Sequence, residues 1–270
     1  MSARPFLKWA GGKARLLGQY APYLPAREAI GRYYEPFIGS AAVFFQLGPR
    51  RARLSDVNRP LIELYRCLQQ DVEGVIACLR PHRNEKGYYY GLRAADPAQM
   101  APAERAARLI YLNRTGYNGL YRENRRGQFN VPFGRYAKPT ICDPARLRAA
   151  ARALQGVELA VADFAAAVAL AGAGDFVYFD PPYAPLTPAS FTAYDRRGFG
   201  PAEQARLAET FHALTGRGAR AMLSNSSAPL VYELYAGRGY RLVEVAARRN
   251  INSRPAGRGP VKELLILNWA

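Results

Sequence analysis

Histidine and cysteine are scarce in this 270-residue chain: two of the first and three of the second. His82 and His212 alone make a histidine-based zinc site a poor prospect. Cys67, Cys78 and Cys142 are odd in number, scattered and without C-x-x-C spacing, which fits a reducing compartment better than a disulfide scaffold. Long apolar runs are missing as well. No stretch supplies the ~20 apolar residues that a bilayer-spanning helix needs, and the alanine-rich segment Phe164 to Ala173 is too short. Met1 to Lys8 lacks the apolar core of a signal peptide, so the expected setting is the cytoplasm, with no membrane partner. Acidic residues are outnumbered, 21 against 38 basic ones, for a formal charge of +17. Such an excess of cations calls for a polyanionic partner, and nucleic acid comes before an anionic membrane surface.

The length suffices for one large α/β domain, or one domain carrying an insertion. The chain is organised around Asp180 to Tyr183, DPPY, which follows Phe176 to Phe179. That short run of apolar residues reads as a strand buried on both faces of a parallel sheet. DPPY then sits at the strand's carboxyl end, where open α/β sheets bind ligands. Pro181 and Pro182 stop the ladder and stiffen the turn. One carboxylate, the proline carbonyls and one aromatic ring suit a planar amine: the oxygens accept its N–H bonds and Tyr183 stacks on its ring. A strand-ending Asp-Pro turn with a core tyrosine is the plainer reading, and four residues alone do not choose between them.

Elsewhere the pattern alternates. Lys8 to Lys13, KWAGGK, precedes a helical pattern on Leu16, Leu17, Tyr20 and Leu24. Its GGK is not a phosphate-binding P-loop, because the first glycine would fall on Leu7 and the hydroxyl on Ala14. Tyr33 to Ser40 and Ala41 to Leu47 fit strand, turn and helix, with Gly39 letting a ligand approach the backbone. Ala52 to Asp56 reads as a second strand whose terminal carboxylate is spaced to hold a ribose; Asp56 could equally cap the helix that follows, as could Asn58. No G-x-G-x-x-G is present, which disfavours a nicotinamide dinucleotide. Leu61, Leu64, Tyr65 and Leu68 form one helical stripe and Ala106, Leu109, Ile110 and Asn113 another, joined by a tyrosine-rich link around Tyr88 to Tyr90.

Asn113 to Arg122, followed by Arg125, Arg126, Arg135 and Lys138, interleaves Arg, Asn, Tyr and Gly as phosphate contact, base reading and ring insertion require. A solvated basic loop is the alternative. A helix is expected from Pro144, with Leu147, Ala151 and Leu154 buried, and another over Pro201 to Thr215 on Gln204, Leu207, Phe211 and Leu214. Val157 to Ala162, Ala219 to Leu223, Tyr240 to Val245 and Glu263 to Leu267 read as strands. The last two are expected to pair antiparallel at the sheet's end.

K-W-A-G-G-K (Lys8 to Lys13), E-P-F-x-G (Glu35 to Gly39), S-D-x-N (Ser55 to Asn58), N-R-T-G-Y-N-G-L-Y-R (Asn113 to Arg122), F-N-V-P-F-G-R-Y (Phe129 to Tyr136) and D-P-P-Y occur in this order. Together they make the chain resemble the Dam family of DNA adenine methylases, from Phe6 through the C-terminal strand. The resemblance implies a Rossmann-like, doubly wound methyltransferase sheet with an antiparallel final strand. It implies a catalytic domain over residues 1–60 and 151–270 and a helical target-recognition insertion over 61–150. It implies S-adenosylmethionine bound by Trp9, Lys13, Asp56 and Asp180, with Phe37 and Gly39 beside it. Lys8, Tyr117, Asn118, Leu120 and Arg122 would face double-stranded DNA. Apart from the resemblance, Arg126 is a further DNA-binding candidate, on phosphate, and a monomer is expected.

The implied reaction is adenine-N6 methylation at GATC without a metal. Asp180 and the Pro181 carbonyl would take the amine protons, Tyr183 would stack on a flipped base, and Ala184 to Gly200 would close over it. Where the family often has a second glycine, this chain has Ala41. The rival readings are an amino methyltransferase for cytosine N4, RNA or a protein glutamine, and a DNA-binding protein that has lost catalysis.

Overall fold

A computed structural model describes residues 3–9, 11–186, 199–248 and 260–269. Seven strands, β1 (Tyr33–Glu35), β2 (Ala52–Asp56), β3 (Glu158–Val161), β4 (Phe176–Phe179), β5 (Arg220–Ser226), β6 (Arg241–Arg248) and β7 (Pro260–Leu267), form one sheet in the order β3-β2-β1-β4-β5-β7-β6. β1 pairs parallel with β2 and β4, and β4 pairs parallel with β5. β7 runs antiparallel to both β5 and β6, so the antiparallel ending expected from the sequence is present. The expected α/β class is the one found. Among the described residues ten α-helices accompany the sheet: α1 (Leu17–Tyr20), α2 (Ala42–Leu47), α3 (Arg59–Gln70), α4 (Val72–Leu79), α5 (Lys86–Ala94), α6 (Pro102–Thr115), α7 (Pro144–Ala153), α8 (Phe164–Ala167), α9 (Pro201–Gly216) and α10 (Pro229–Tyr235). None of them is long and apolar enough to cross a membrane.

The chain folds into two compact units. One comprises residues 18–38, 49–57 and 162–270. All four residues of β4 are buried, as a strand covered on both faces must be. Its core joins Val177 and Phe179 to Leu207, Phe211, Leu214, Val231 and Tyr235 from α9 and α10. Burying each such side chain stabilises the fold by about 1.5–3 kcal/mol before the entropy of ordering is subtracted. The helical stripe on Gln204, Leu207, Phe211 and Leu214 is buried in full. Strand order reverses between β1 and β4, which places the ends of these two strands at the topological switch point.

The other unit comprises residues 1–17, 39–48 and 58–161. Leu61, Leu64, Tyr65 and Leu68 of α3 are buried, and so are Ala106, Leu109, Ile110 and Asn113 of α6. Asn58 caps α3 by accepting the Leu61 N–H at 3.0 Å, which settles the cap on Asn58 rather than Asp56. Asp143 caps α7 in the same way through Arg146.

Three segments differ from the sequence reading. The link around Tyr88 to Tyr90 is helical, in α5: Tyr89 is fully buried, packs on Phe133 at 5.4 Å and donates its hydroxyl to the Val131 carbonyl at 2.9 Å. That packing outweighs the poor helix propensity of two glycines and three tyrosines. The single helix expected through Leu24 is instead broken into short turns, since Pro22 and Pro25 supply no N–H to continue it. β5 continues past Leu223 through Ser224, Asn225 and Ser226, all buried. Residues 187–198, including Phe191, Tyr194, Arg196 and Arg197 of the expected lid, lie outside the described residues.

Candidate active site

The two prolines end β4, and the chain leaves the sheet with Asp180 at its edge. Neighbouring β5, in register Phe179↔Leu223, brings Ser224 alongside. Ser224 Oγ lies 3.0 Å from Asp180 Oδ1 and 3.0 Å from the Tyr178 hydroxyl. A carboxylate only accepts, so the single serine proton goes to Asp180 and Tyr178 donates to the serine. Burial, then the Asp180 charge, pushes the Tyr178 phenol well above its ordinary range and keeps it a donor. Asp180 is thus held in one rotamer by a hydroxyl that is itself held.

Tyr183 is half-buried and donates its hydroxyl to Glu263 Oε2 on β7 at 2.7 Å. Burial first, then Tyr20, Asp180 and Glu263, raises its phenol well above the usual value. The Pro182 carbonyl accepts from Gln204 Nε2 at 2.8 Å, whereas no described residue donates to the Pro181 carbonyl. Of the two prolines, Pro181 is the one whose carbonyl has no donor among the described residues. Phe37, just after β1, stacks on Phe164 at 5.5 Å and meets Phe199 edge-on at 5.8 Å. Asp56 closes β2, its carbonyl accepting the Ala162 N–H at 3.2 Å. Glu35, buried at the end of β1, accepts the Tyr33 hydroxyl at 2.9 Å; sequence reasoning placed it in a motif without giving it a role.

The other unit carries the remaining expected residues. Gly39 has a left-handed backbone, φ +44°, and a Cβ there would lie 2.8 Å from Trp9 Cδ1. Trp9 also stacks on Tyr121, with ring centroids 5.7 Å apart and 25° between planes. Lys13 is buried and its Nζ donates to the Gly11 carbonyl at 2.6 Å. Ala41, two residues on, is left-handed too, at φ +55°.

Of the residues expected to face DNA, Lys8 and Asn118 meet at Tyr136. The Lys8 ammonium sits 4.0 Å from that ring, and the Asn118 N–H donates to its hydroxyl at 3.0 Å. Burial, then Arg114, lowers the Lys8 pKa. Tyr117 is exposed and Leu120 half-buried. Arg122 is exposed, and its guanidinium is pinned by Asn130, Nε to Oδ1 at 2.6 Å and Nη2 to the carbonyl at 3.1 Å. Arg126 lies in the exposed turn Asn124–Gly127, where its N–H donates to Asn124 Oδ1 at 2.9 Å.

Sequence reading missed what ties these pieces together. Asn113 accepts the Lys8 N–H at 2.8 Å and donates to the carbonyls of Lys8 at 2.5 Å and Gly119 at 3.0 Å. KWAGGK and the Tyr117–Arg122 loop are therefore stitched at one buried amide. The available signal was a polar residue at an apolar position of the α6 stripe. Gly119 permits the approach: it is left-handed at φ +63°, and a Cβ there would come within 2.7 Å of the Lys8 carbonyl oxygen.

Residues 9–251 match the family model for D12 class N6 adenine-specific DNA methyltransferases. The chain is 40% identical to the Type II methyltransferase M1.LlaDCHI of Lactococcus lactis subsp. cremoris, over 100% of this chain and 96% of the relative. It is 38% identical to the Type II methyltransferase M.MjaIII of Methanocaldococcus jannaschii over the whole of both chains. It is 39% identical to the DNA adenine methylase of Escherichia coli (strain K12), over 98% of this chain and 95% of that one. The family implies a methyl donor and a DNA substrate. With the strand-end carboxylate in place and the match running nearly end to end, the chain belongs to the D12 class of N6 adenine-specific DNA methyltransferases.

Proposed function

We propose that this adenine-specific DNA methyltransferase takes its methyl group from S-adenosylmethionine and delivers it to an adenine flipped out of duplex DNA at GATC. The observation that carries the chemical reading is the Asp180 carboxylate fixed by Ser224 beside a Pro181 carbonyl that has no donor among the described residues. S-adenosylmethionine, when bound, supplies an electrophilic methyl on a sulfonium. The residues fit such a group: the Trp9 indole offers an aromatic ring to a sulfonium cation, and Gly39 lets that indole pack directly on the backbone, where a Cβ would come within 2.8 Å of its Cδ1. Trp9, Lys13, Phe37, Gly39, Asp56 and Asp180 are the proposed binding residues, on the likeness of their motifs to those of the Dam family.

An adenine amine is a poor nucleophile because its lone pair is delocalised into the ring. Asp180 and the Pro181 carbonyl would accept its two N–H bonds, draw the nitrogen toward tetrahedral geometry and stabilise the positive charge it gains. Reaching those acceptors requires the base to leave the duplex, at a cost of a few kcal/mol in unstacking. Tyr183, its hydroxyl anchored on Glu263, would then present its ring to the base. GATC is supported by the likeness of Asn113 to Arg122 to the Dam target loop. Asp180→Asn should lower single-turnover methylation of a GATC duplex by ~10²-fold or more, with DNA affinity retained. Near-normal turnover would remove Asp180 from the reaction, and equal rates on duplexes without GATC would remove the site assignment.

A further inference from the structure

Three backbone groups of the turn after β4 are taken by side chains rather than by the sheet. Gln204 Nε2 donates to the Pro182 carbonyl at 2.8 Å, Asn225 Oδ1 accepts the Ala184 N–H at 3.0 Å, and Ser226 Oγ donates to the Ala184 carbonyl at 2.5 Å. The two carboxamides are joined, Asn225 Nδ2 to Gln204 Oε1 at 3.0 Å. Their orientations are forced from both ends. Asn225 Oδ1 faces two backbone donors, Ala184 and Ser226, so its nitrogen must face Gln204; the Gln204 nitrogen must then face a carbonyl. Gln204 is 1% exposed and Asn225 0%. Gln204 is the first buried position of α9, one turn before Leu207 and Ala208, where leucine would be cheaper to bury, so the carboxamide is expected to serve something besides packing.

We propose that Gln204 and Asn225 are positioning residues for methyl transfer. They form a buried carboxamide clamp that withdraws the Pro182 carbonyl from the substrate, fixes the Pro182–Ala184 backbone, and so aims Asp180 and the Pro181 carbonyl at the amine. This rests on the reading of those two groups as the acceptors. Displacing the turn by about an ångström would leave the methyl donor and DNA bound but spoil the attack geometry, a loss of about 10²-fold.

The test uses the full chain and single-turnover methylation of a GATC duplex, with donor affinity from calorimetry. Gln204→Met keeps the length and removes both hydrogen bonds. Gln204→Glu keeps the acceptor for Asn225 and can donate to the Pro182 carbonyl only when protonated. Burial raises the pKa of such a carboxyl. Both variants should bind the donor normally and transfer methyl ~10²-fold more slowly near pH 8. As the pH is lowered, the Gln204→Glu rate should recover relative to wild type while the Gln204→Met rate does not. A wild-type rate in Gln204→Met, or parallel pH profiles for the two variants, overturns the clamp. So does a Gln204→Glu chain that fails to fold even in acid, which would leave the pair a purely structural role. Asp180→Ala separates the layers: if it is inactive while Gln204→Met is fully active, only the clamp falls, whereas an active Asp180→Ala takes the acceptor reading with it.

Discussion

Gly39 and Ala41 stand two residues apart with nearly the same left-handed backbone, φ +44° and +55°, yet substitution should affect them differently. At Gly39 a methyl group would meet the Trp9 indole at 2.8 Å, on top of the roughly 1–2 kcal/mol that left-handed geometry costs an L-residue. Gly39→Ala should therefore destabilise the protein by about 1–3 kcal/mol in denaturant titrations and weaken S-adenosylmethionine binding in calorimetry. Lost stability with unchanged donor affinity would take Gly39 and its indole away from the cofactor. At Ala41 the strain is already present, and its methyl is fully buried. Relief of strain in Ala41→Gly and loss of a buried methyl, about 0.8 kcal/mol, are of similar size and opposite sign. Stability should then move by less than about 1 kcal/mol in denaturant titrations.

At the scale of elements, legibility followed how much of the signal was local. β4 and the α9 stripe were readable because burial imposes a period or an apolar run on neighbouring residues. The polar end of β5 was not: Ser224, Asn225 and Ser226 look like a turn until the sheet and the DPPY loop supply their partners. Asn113 escaped for the same reason, since its three partners lie at Lys8 and Gly119. The DPPY motif announced a carboxylate at a strand end, but which proline carbonyl a side chain takes depends on Gln204, 22 residues away.

Three buried phenols and the half-buried Tyr183 give a prediction at this scale. Tyr20, Tyr33, Tyr178 and Tyr183 are all raised well above the ordinary tyrosine value, with burial the largest cause in each. The folded protein keeps these protons while an unfolded chain begins to release them near pH 10, so the unfolded state binds fewer protons and stability falls as pH rises. The contribution is intact below the unfolded value and is lost above it, at about 1.4 kcal/mol per pH unit for each phenol. Urea midpoints should hold steady below about pH 9 and drop steeply above pH 10, and Tyr178→Phe should make that drop shallower. A flat alkaline limb would mean that these phenols ionise in the fold as they do in water.

For the whole molecule, the charge of +17 sets how DNA is held but not which DNA is chosen. Neutralising phosphates releases counterions, so affinity should fall steeply with salt on any sequence. Discrimination needs a donor fork with a fixed direction, and Arg122 has one: Asn130 takes Nε and Nη2, and Nη1 has no partner among the described residues. Arg126, exposed in the turn at Asn124–Gly127, is fixed only through its backbone in the bonds described. If Arg122 reads a guanine edge and Arg126 holds phosphate, their alanine variants should separate. Arg122→Ala should relax selection at one base pair by roughly 1–3 kcal/mol. Arg126→Ala should weaken every duplex alike and lower the salt slope by about one unit. Asn130→Ala should resemble a weaker Arg122→Ala, because it frees the guanidinium without removing it. Methylation rates on the preferred duplex and its single-base variants, at two salt concentrations, distinguish the cases. Should Arg122→Ala slow every duplex by one common factor, Arg122 positions the DNA without reading it, and recognition has to be sought elsewhere in the Tyr117–Arg122 loop.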